Sequence, residues 1–202
     1  MAAPSRATAA PADELVWLKR AVLVLVAPRM VLAGIRDDSD DAAKARSEAV
    51  LALVILAGIA SVLWSPVGGR VMDVNGVHAQ DGLDVAVWAF IGGLLYGAVL
   101  YFGGGLLLYL FTRIVGGITY RQVRHVLAFA SAPIALSLLL VWPVRIAVYG
   151  EDVFRSGGSD RGAGNWVFAG LGLALLAWSL ALLALGLRIV ISNPSSSSAG
   201  IS

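Results

Sequence analysis

Four long runs without a formal charge decide what this chain can fold into. Glu48 to Arg70 encloses 21 such residues, Asp84 to Arg113 encloses 28, His125 to Arg145 encloses 19 and Arg161 to Arg188 encloses 26. A helix needs roughly 20 apolar residues to cross the hydrocarbon core of a bilayer. All four runs meet that length, the first and third only just. In lipid each backbone polar group must bond inside the protein, so runs of this kind become helices. The chain is 58% hydrophobic and 14% charged, against about 25% charged in soluble domains. The expected fold is all-α, an integral membrane helical bundle over residues 49–191. Its spans fall at about 49–65, 85–112, 125–143 and 166–191.

The flanks divide readily. Residues 1–14 ("MAAPSRATAAPADE") are Ala/Pro-rich and too poor in large apolar residues to pack, so a disordered tail is expected. They do not read as a signal peptide, because no apolar region follows the lone arginine closely. Residues 15–35 are apolar but punctuated by Lys19, Arg20 and Arg29, with Pro28 removing a backbone donor midway. An interfacial or re-entrant segment with snorkelling arginines and Trp17 at the interface fits this pattern. A fifth span is the alternative. Residues 36–48 return to water as a juxtamembrane linker, where Asp40 and Asp41 are candidate N-caps for a helix entering the first span. The second span would be about 42 Å long, so it must tilt or bend near Gly103-Gly104-Gly105. Residues 192–202 form a serine-rich tail, expected to be flexible.

Orientation follows from the basic residues near the spans. With four spans, eleven arginines and lysines lie on the side of the termini, including Arg113, Arg121, Arg124 and Arg188. The other side carries four: Arg70, Arg145, Arg155 and Arg161. The expected location is the cell membrane, with both termini and the 113–124 turn in the cytoplasm. Arg113, Arg121 and Arg124 are the candidates for a basic anchor that contacts anionic lipid. The chain has no cysteine, which removes disulfides, thiolate catalysis and cysteine metal sites. Its 13 arginines and 2 lysines, with abundant alanine and valine, hint at a GC-rich bacterial genome.

In lipid, helices associate by close packing, so small residues mark contact faces. The third span carries Ala130, Ser131 and Pro133 in its middle, which reads as an interior helix packed on several sides. Pro133 would free the carbonyl of Phe129, which Ser131 or a neighbouring helix could re-satisfy. Gly93 and Gly97 form a small-xxx-small pair on the second span, and Ala177 and Ala181 another on the fourth. These seven residues are the candidates for bundle packing.

Chemistry is harder to find. An ionisable residue deep in a span would signal function, and the spans offer only hydroxyls such as Tyr96, Tyr101, Ser131 and Ser179. "DDSDD" at 37–41 contains an Asp-Asp-x-x-Asp pattern that can bind magnesium. Such a site needs a second acidic cluster, and the sequence has none on that side. A solvated cap is the better reading. His78 and His125 fall on opposite sides of the membrane and cannot share a metal. No catalytic residue, cofactor site or metal site is expected, and nothing suggests nucleic acid.

The order of segments carries a resemblance. An interfacial stretch with a central proline ("LVLVAPRMVLAGI") precedes a first span, an outer loop and a long second span. Then come "RIVGGITYRQVRHVLAFASAPIALSLLL", with its Gly-Gly turn and Tyr-Arg-x-Val pattern, and a last span ending "WSLALLALGLRIV". Residues 116–140 and 178–190 carry the likeness most strongly, and the layout covers about 15–191. The chain resembles the Yip family of multispanning membrane proteins, named for interaction with Ypt/Rab GTPases. The resemblance implies a helical bundle with a cytoplasmic N-terminus and no catalytic residues to carry over. It also implies a further span after "GLRIV", where this chain continues only as "ISNPSSSSAGIS". The expectation is a shortened member with its C-terminus in the cytoplasm.

The expected function is a non-catalytic scaffold or adaptor. Its partners would be the lipid bilayer and another membrane protein or a second copy of itself. The alternative is a small transporter or channel, possible as a homo-oligomer. That alternative requires a hydrated midplane cavity lined by Tyr96, Tyr101, Ser131 or Ser179.

Overall fold

A computed structural model of the chain describes residues 16–65, 82–114, 117–150, 153 and 162–192. The terminal tails, the stretch with Arg70 and His78, the stretch with Arg155 and Arg161, and the Trp17 side chain lie outside the described residues. Among the described residues all regular structure is helical. Four helices are long and apolar enough to cross a membrane: Asp40–Trp64, Asp84–Arg113, Tyr120–Tyr149 and Ala163–Ile191.

The first two helices form a short broken pair, α1 (Val16–Val26) and α2 (Pro28–Ala33), followed by a 3₁₀ turn at Gly34–Arg36. Proline causes the break. It disfavours helical backbone at the residue before it, and Ala27 stands at φ −129°, ψ 61°. Pro28 itself sits at the first position of α2, where its missing N–H costs nothing. The pair buries Val24, Leu32 and Ile35 completely against the spans. It is a wedge seated in the bundle.

Helix α3 (Asp40–Trp64) starts at Ser39, whose Oγ accepts the Ala42 N–H at 3.4 Å. The cap therefore lies one residue before the aspartates. Asp40 and Asp41 occupy the first turn, where negative charge complements the helix dipole. Helix α4 (Gly82–Val99) packs on α3 more extensively than any other pair. Glycines permit this approach. A Cβ added at Gly93 would stand 2.6 Å from the Ile59 backbone, one at Gly97 would stand 2.7 Å from the Val54 carbonyl oxygen, and one at Gly58 would collide with the Gly93 carbonyl.

A π-turn at Leu100–Gly104 joins α4 to α5 (Gly105–Arg113) without ending the span. The long second span, expected to tilt or to bend near the glycine triplet, here carries an extra residue in one helical turn. Gly117, at φ 65°, then turns the chain in a conformation glycine adopts at little cost.

Helix α6 (Tyr120–Ala130) opens with a full capping box. The Thr119 Oγ1 accepts the Gln122 N–H at 3.2 Å, and the Gln122 Oε1 accepts the Thr119 N–H at 3.0 Å. At Ser131 the helix breaks step and resumes as α7 (Ala132–Tyr149). Pro133 lies in the first turn of α7, and the Ser131 Oγ donates to the Ala128 carbonyl at 2.7 Å. The Ser131 backbone N–H is directed at the carbonyls of Leu127, Ala128 and Phe129. Helix α7 also runs on through Pro143 to Tyr149. Membrane helices tolerate such prolines where the surroundings re-satisfy the backbone.

The apolar stretch of the α6–α7 span is 61% buried, against 33%, 22% and 22% for the other three. It is the central helix. Helix α3 flanks it with α4 outside, and α8 (Ala163–Ile191) packs on α6, α7 and α2.

Candidate functional site

Several polar groups of the described residues gather where the wedge, the start of α3, the start of α6 and the end of α8 meet. Arg46, one and a half turns into α3, is only 8% exposed. Its guanidinium donates to the carbonyls of Gly34 and Asp37. Arg36 donates through Nε and Nη2 to the Ile189 carbonyl at 3.1 and 3.0 Å, closing the wedge onto the C-terminal turn of α8. The Gln122 side chain, already a cap, donates to the Arg36 carbonyl at 3.2 Å and the Ile35 carbonyl at 3.4 Å. One buried amide thus fixes both the start of α6 and the end of the wedge.

The acidic linker is spent in the same way. Arg121 meets Asp38 through Nε and Asp40 through Nη1, each at 2.7 Å, and also donates to the Asp38 carbonyl. Thr119 Oγ1 donates to the other Asp38 oxygen at 2.7 Å. Hydrogen bonding from Ser39, its side chain foremost and its N–H at 3.1 Å, holds the exposed Asp37 carboxyl below its ordinary range. The Asp-Asp-x-x-Asp run is therefore a clamp on α6. Among the described residues no three His, Asp or Glu side chains stand together to hold a metal ion. His125 is buried beneath the cluster, and its Nδ1 finds no hydrogen-bond partner.

Two aromatic boxes lie at opposite ends of the α6–α7 span. Near its start the Arg124 guanidinium sits 4.5 Å from the Tyr120 ring centre, 5.1 Å from Tyr101 and 5.3 Å from Phe102. Towards its end Arg145 sits 5.1 Å from Trp142 and 5.4 Å from Trp64. There the Trp64 indole donates to Ser137 Oγ at 3.1 Å.

The seven small residues and three arginines singled out in the sequence are scattered. Ala130, Ser131 and Pro133 are buried at the α6–α7 joint, and Gly93 and Gly97 lie in the α3–α4 contact. Ala177 and Ala181 face outward on α8, and Arg113 is exposed at the end of α5. Arg121 and Arg124 are close on α6 but differently engaged, one by carboxylates and the other by rings. Sequence reasoning missed Arg36, Arg46 and Gln122. For Gln122 a signal existed, the Thr-x-x-Gln capping pattern. For Arg36 and Arg46 there was none, because their acceptors are backbone carbonyls.

No curated protein and no solved structure proved similar to the chain. The family model of the Yip1 domain matches residues 22–202, nearly the whole chain. With four spanning helices in one bundle, the chain is a multispanning membrane protein of the Yip family.

Proposed function

We propose that this chain is a non-catalytic scaffold or adaptor of the cell membrane, with its termini and the 113–124 turn in the cytoplasm. In this reading residues 15–35 form a re-entrant wedge, and the face around the Arg121 clamp is where a second membrane protein or another copy docks. The observation that carries the reading is the use made of polar groups. Those described above fasten elements together near the two ends of the bundle; of the four hydroxyls a lumen would need, Ser179 is the one buried with its Oγ unbonded. Tyr96 points outward and is 47% exposed. Ser131 bonds within its own span, and Tyr101 packs beside Arg124. A groove of about 260 Å³ between α7 and α8 is lined by Leu136, Leu140, Val144, Phe168 and Leu171, with Ser137 as its hydroxyl. That lining is unsuited to a hydrated path.

Gentle purification from native membranes, beside a control protein of the same topology, tests the proposal. The expected result is a stoichiometric protein partner that is lost when Asp38 and Asp40 are replaced by asparagine. A lone homo-oligomer that passes solutes in liposomes would overturn it in favour of a channel or transporter.

A further inference from the structure

Three arginines at the polar end are tied to oxygen: Arg36 to Ile189, Arg46 to Gly34 and Asp37, and Arg121 to Asp38 and Asp40. Arg124 is different. Its Nε is buried with no partner, and no hydrogen bond or ion pair reaches its guanidinium among the described residues. The three rings around it attract the charge, and no hydrogen bond joins its N–H donors to the Tyr101 or Tyr120 hydroxyl. A cation left this way at the edge of a membrane is short of an anion.

The surroundings are built around it. A Cβ on Gly105 would come within 2.6 Å of the Arg124 Cγ, so the glycine makes room for the arginine stem. The Tyr120 hydroxyl donates to the Phe102 carbonyl at 2.8 Å, tying the rim on α6 to the rim on the π-turn. Arg124 lies one turn inside the capped start of α6, about 6 Å along the helix, which suits the boundary between headgroups and acyl chains. Phe102 (54% exposed), Leu106 (48%) and Leu107 (60%) continue outward from the box as an apolar surface. The ligand chemistry that matches a guanidinium with no oxygen partner is phosphate, held by paired charge-assisted hydrogen bonds. The apolar flank selects a phosphate that carries acyl chains.

We propose that Arg124, boxed by Tyr101, Phe102 and Tyr120, is the binding site for the phosphate of an anionic phospholipid. The site is independent of the adaptor reading, since a transporter could hold the same lipid.

Native mass spectrometry of the full chain, released from bilayer discs of phosphatidylglycerol in phosphatidylcholine, tests the site. The wild type retains phosphatidylglycerol in preference to phosphatidylcholine. Arg124→Gln lowers that retention about fivefold, the worth of one arginine near an anionic surface. Lys44→Gln, at an exposed position on the same end but away from the box, leaves retention unchanged. Thermal unfolding of the same samples reports whether each variant folds. If Arg124→Gln does not fold, Arg124→Lys keeps the charge without the paired donors and still falls below the wild type. Equal retention by wild type and Arg124 variants overturns the site, as does an equal loss in Lys44→Gln. Excess inorganic phosphate added to the wild type separates the sources. Lipid that stays bound supports the headgroup assignment, and its displacement would make the ligand a soluble phosphate and overturn it.

Discussion

Arg46 shows how much one side chain can carry here. It enters the bundle from α3 and holds two carbonyls of the wedge, at Gly34 and Asp37. Arg46→Ala would strand both acceptors, and a buried polar group left unsatisfied costs about 1–3 kcal/mol. Unfolding followed in mild detergent should show a loss of that size, with Arg46→Lys recovering only part of it because a shorter side chain with one nitrogen replaces the two nitrogens that serve the two carbonyls separately. The Arg121–Asp38 pair should matter less. Its side chains are 34% and 21% exposed, so solvent screening keeps the expected coupling small. A double-mutant cycle of Arg121→Gln and Asp38→Asn should give a small favourable coupling at low salt and less at high salt. These roles were hardly legible in the sequence. Arg46 sits in "DDAAKARSE", which reads as a solvated helix start, and its acceptors are backbone groups nine and twelve residues away. Arg121 and Asp38 are 83 residues apart, and only the fold brings them together.

At the scale of elements, what was local was legible. Run length alone gives four spans, because the bilayer sets one length for every helix that crosses it. The triplet Gly103-Gly104-Gly105 announced an irregular turn, though not that it would be a π-turn with its bulge at Leu100–Gly104. Pro143 shows a limit of the same reasoning: "WP" looks like a stop in water, yet α7 continues six residues beyond it. Helix contacts could be guessed from small residues but not assigned. Gly93 and Gly97 press on α3, while the similarly spaced Ala177 and Ala181 face outward. This contrast gives a prediction for the α3–α4 contact. Gly93→Val must push Ile59 backbone aside, and overpacking of this kind costs about 1–3 kcal/mol. Gly170, with nothing within 4 Å of an added Cβ, is the control. Gly170→Ala should be neutral or stabilise by up to about 1 kcal/mol, since alanine loses less backbone freedom on entering a helix. Equal destabilisation of both variants in detergent would mean that the α3–α4 glycines are not placed as described.

For the whole molecule the charge asymmetry makes the sharpest prediction, because orientation is chosen before the bundle packs. In the fold Arg121 is neutralised by Asp38 and Asp40 and Arg124 is wrapped in rings. During insertion neither has yet met its partners, and both count fully as basic charge on their side of the membrane; acidic residues contribute little to the rule. The chain has no cysteine, so single cysteines can report each side. Lys44→Cys marks the end that holds the clamp, and Ala163→Cys marks the start of α8 at the other end. On intact cells a membrane-impermeant maleimide should label Ala163→Cys and reach Lys44→Cys only after permeabilisation. The reverse pattern would overturn the proposed orientation. Replacing Arg113, Arg121 and Arg124 together by glutamine leaves eight basic residues of eleven on the side of the termini. Because the three stand next to the second and third spans, the loss should yield a mixed population, with part of Lys44→Cys labelled on intact cells. A mutant that breaks only the folded clamp, Asp38→Asn with Asp40→Asn, should weaken the bundle yet keep one orientation. If the carboxylate variant also mixed its labelling, orientation would depend on the finished clamp rather than on charge met during insertion.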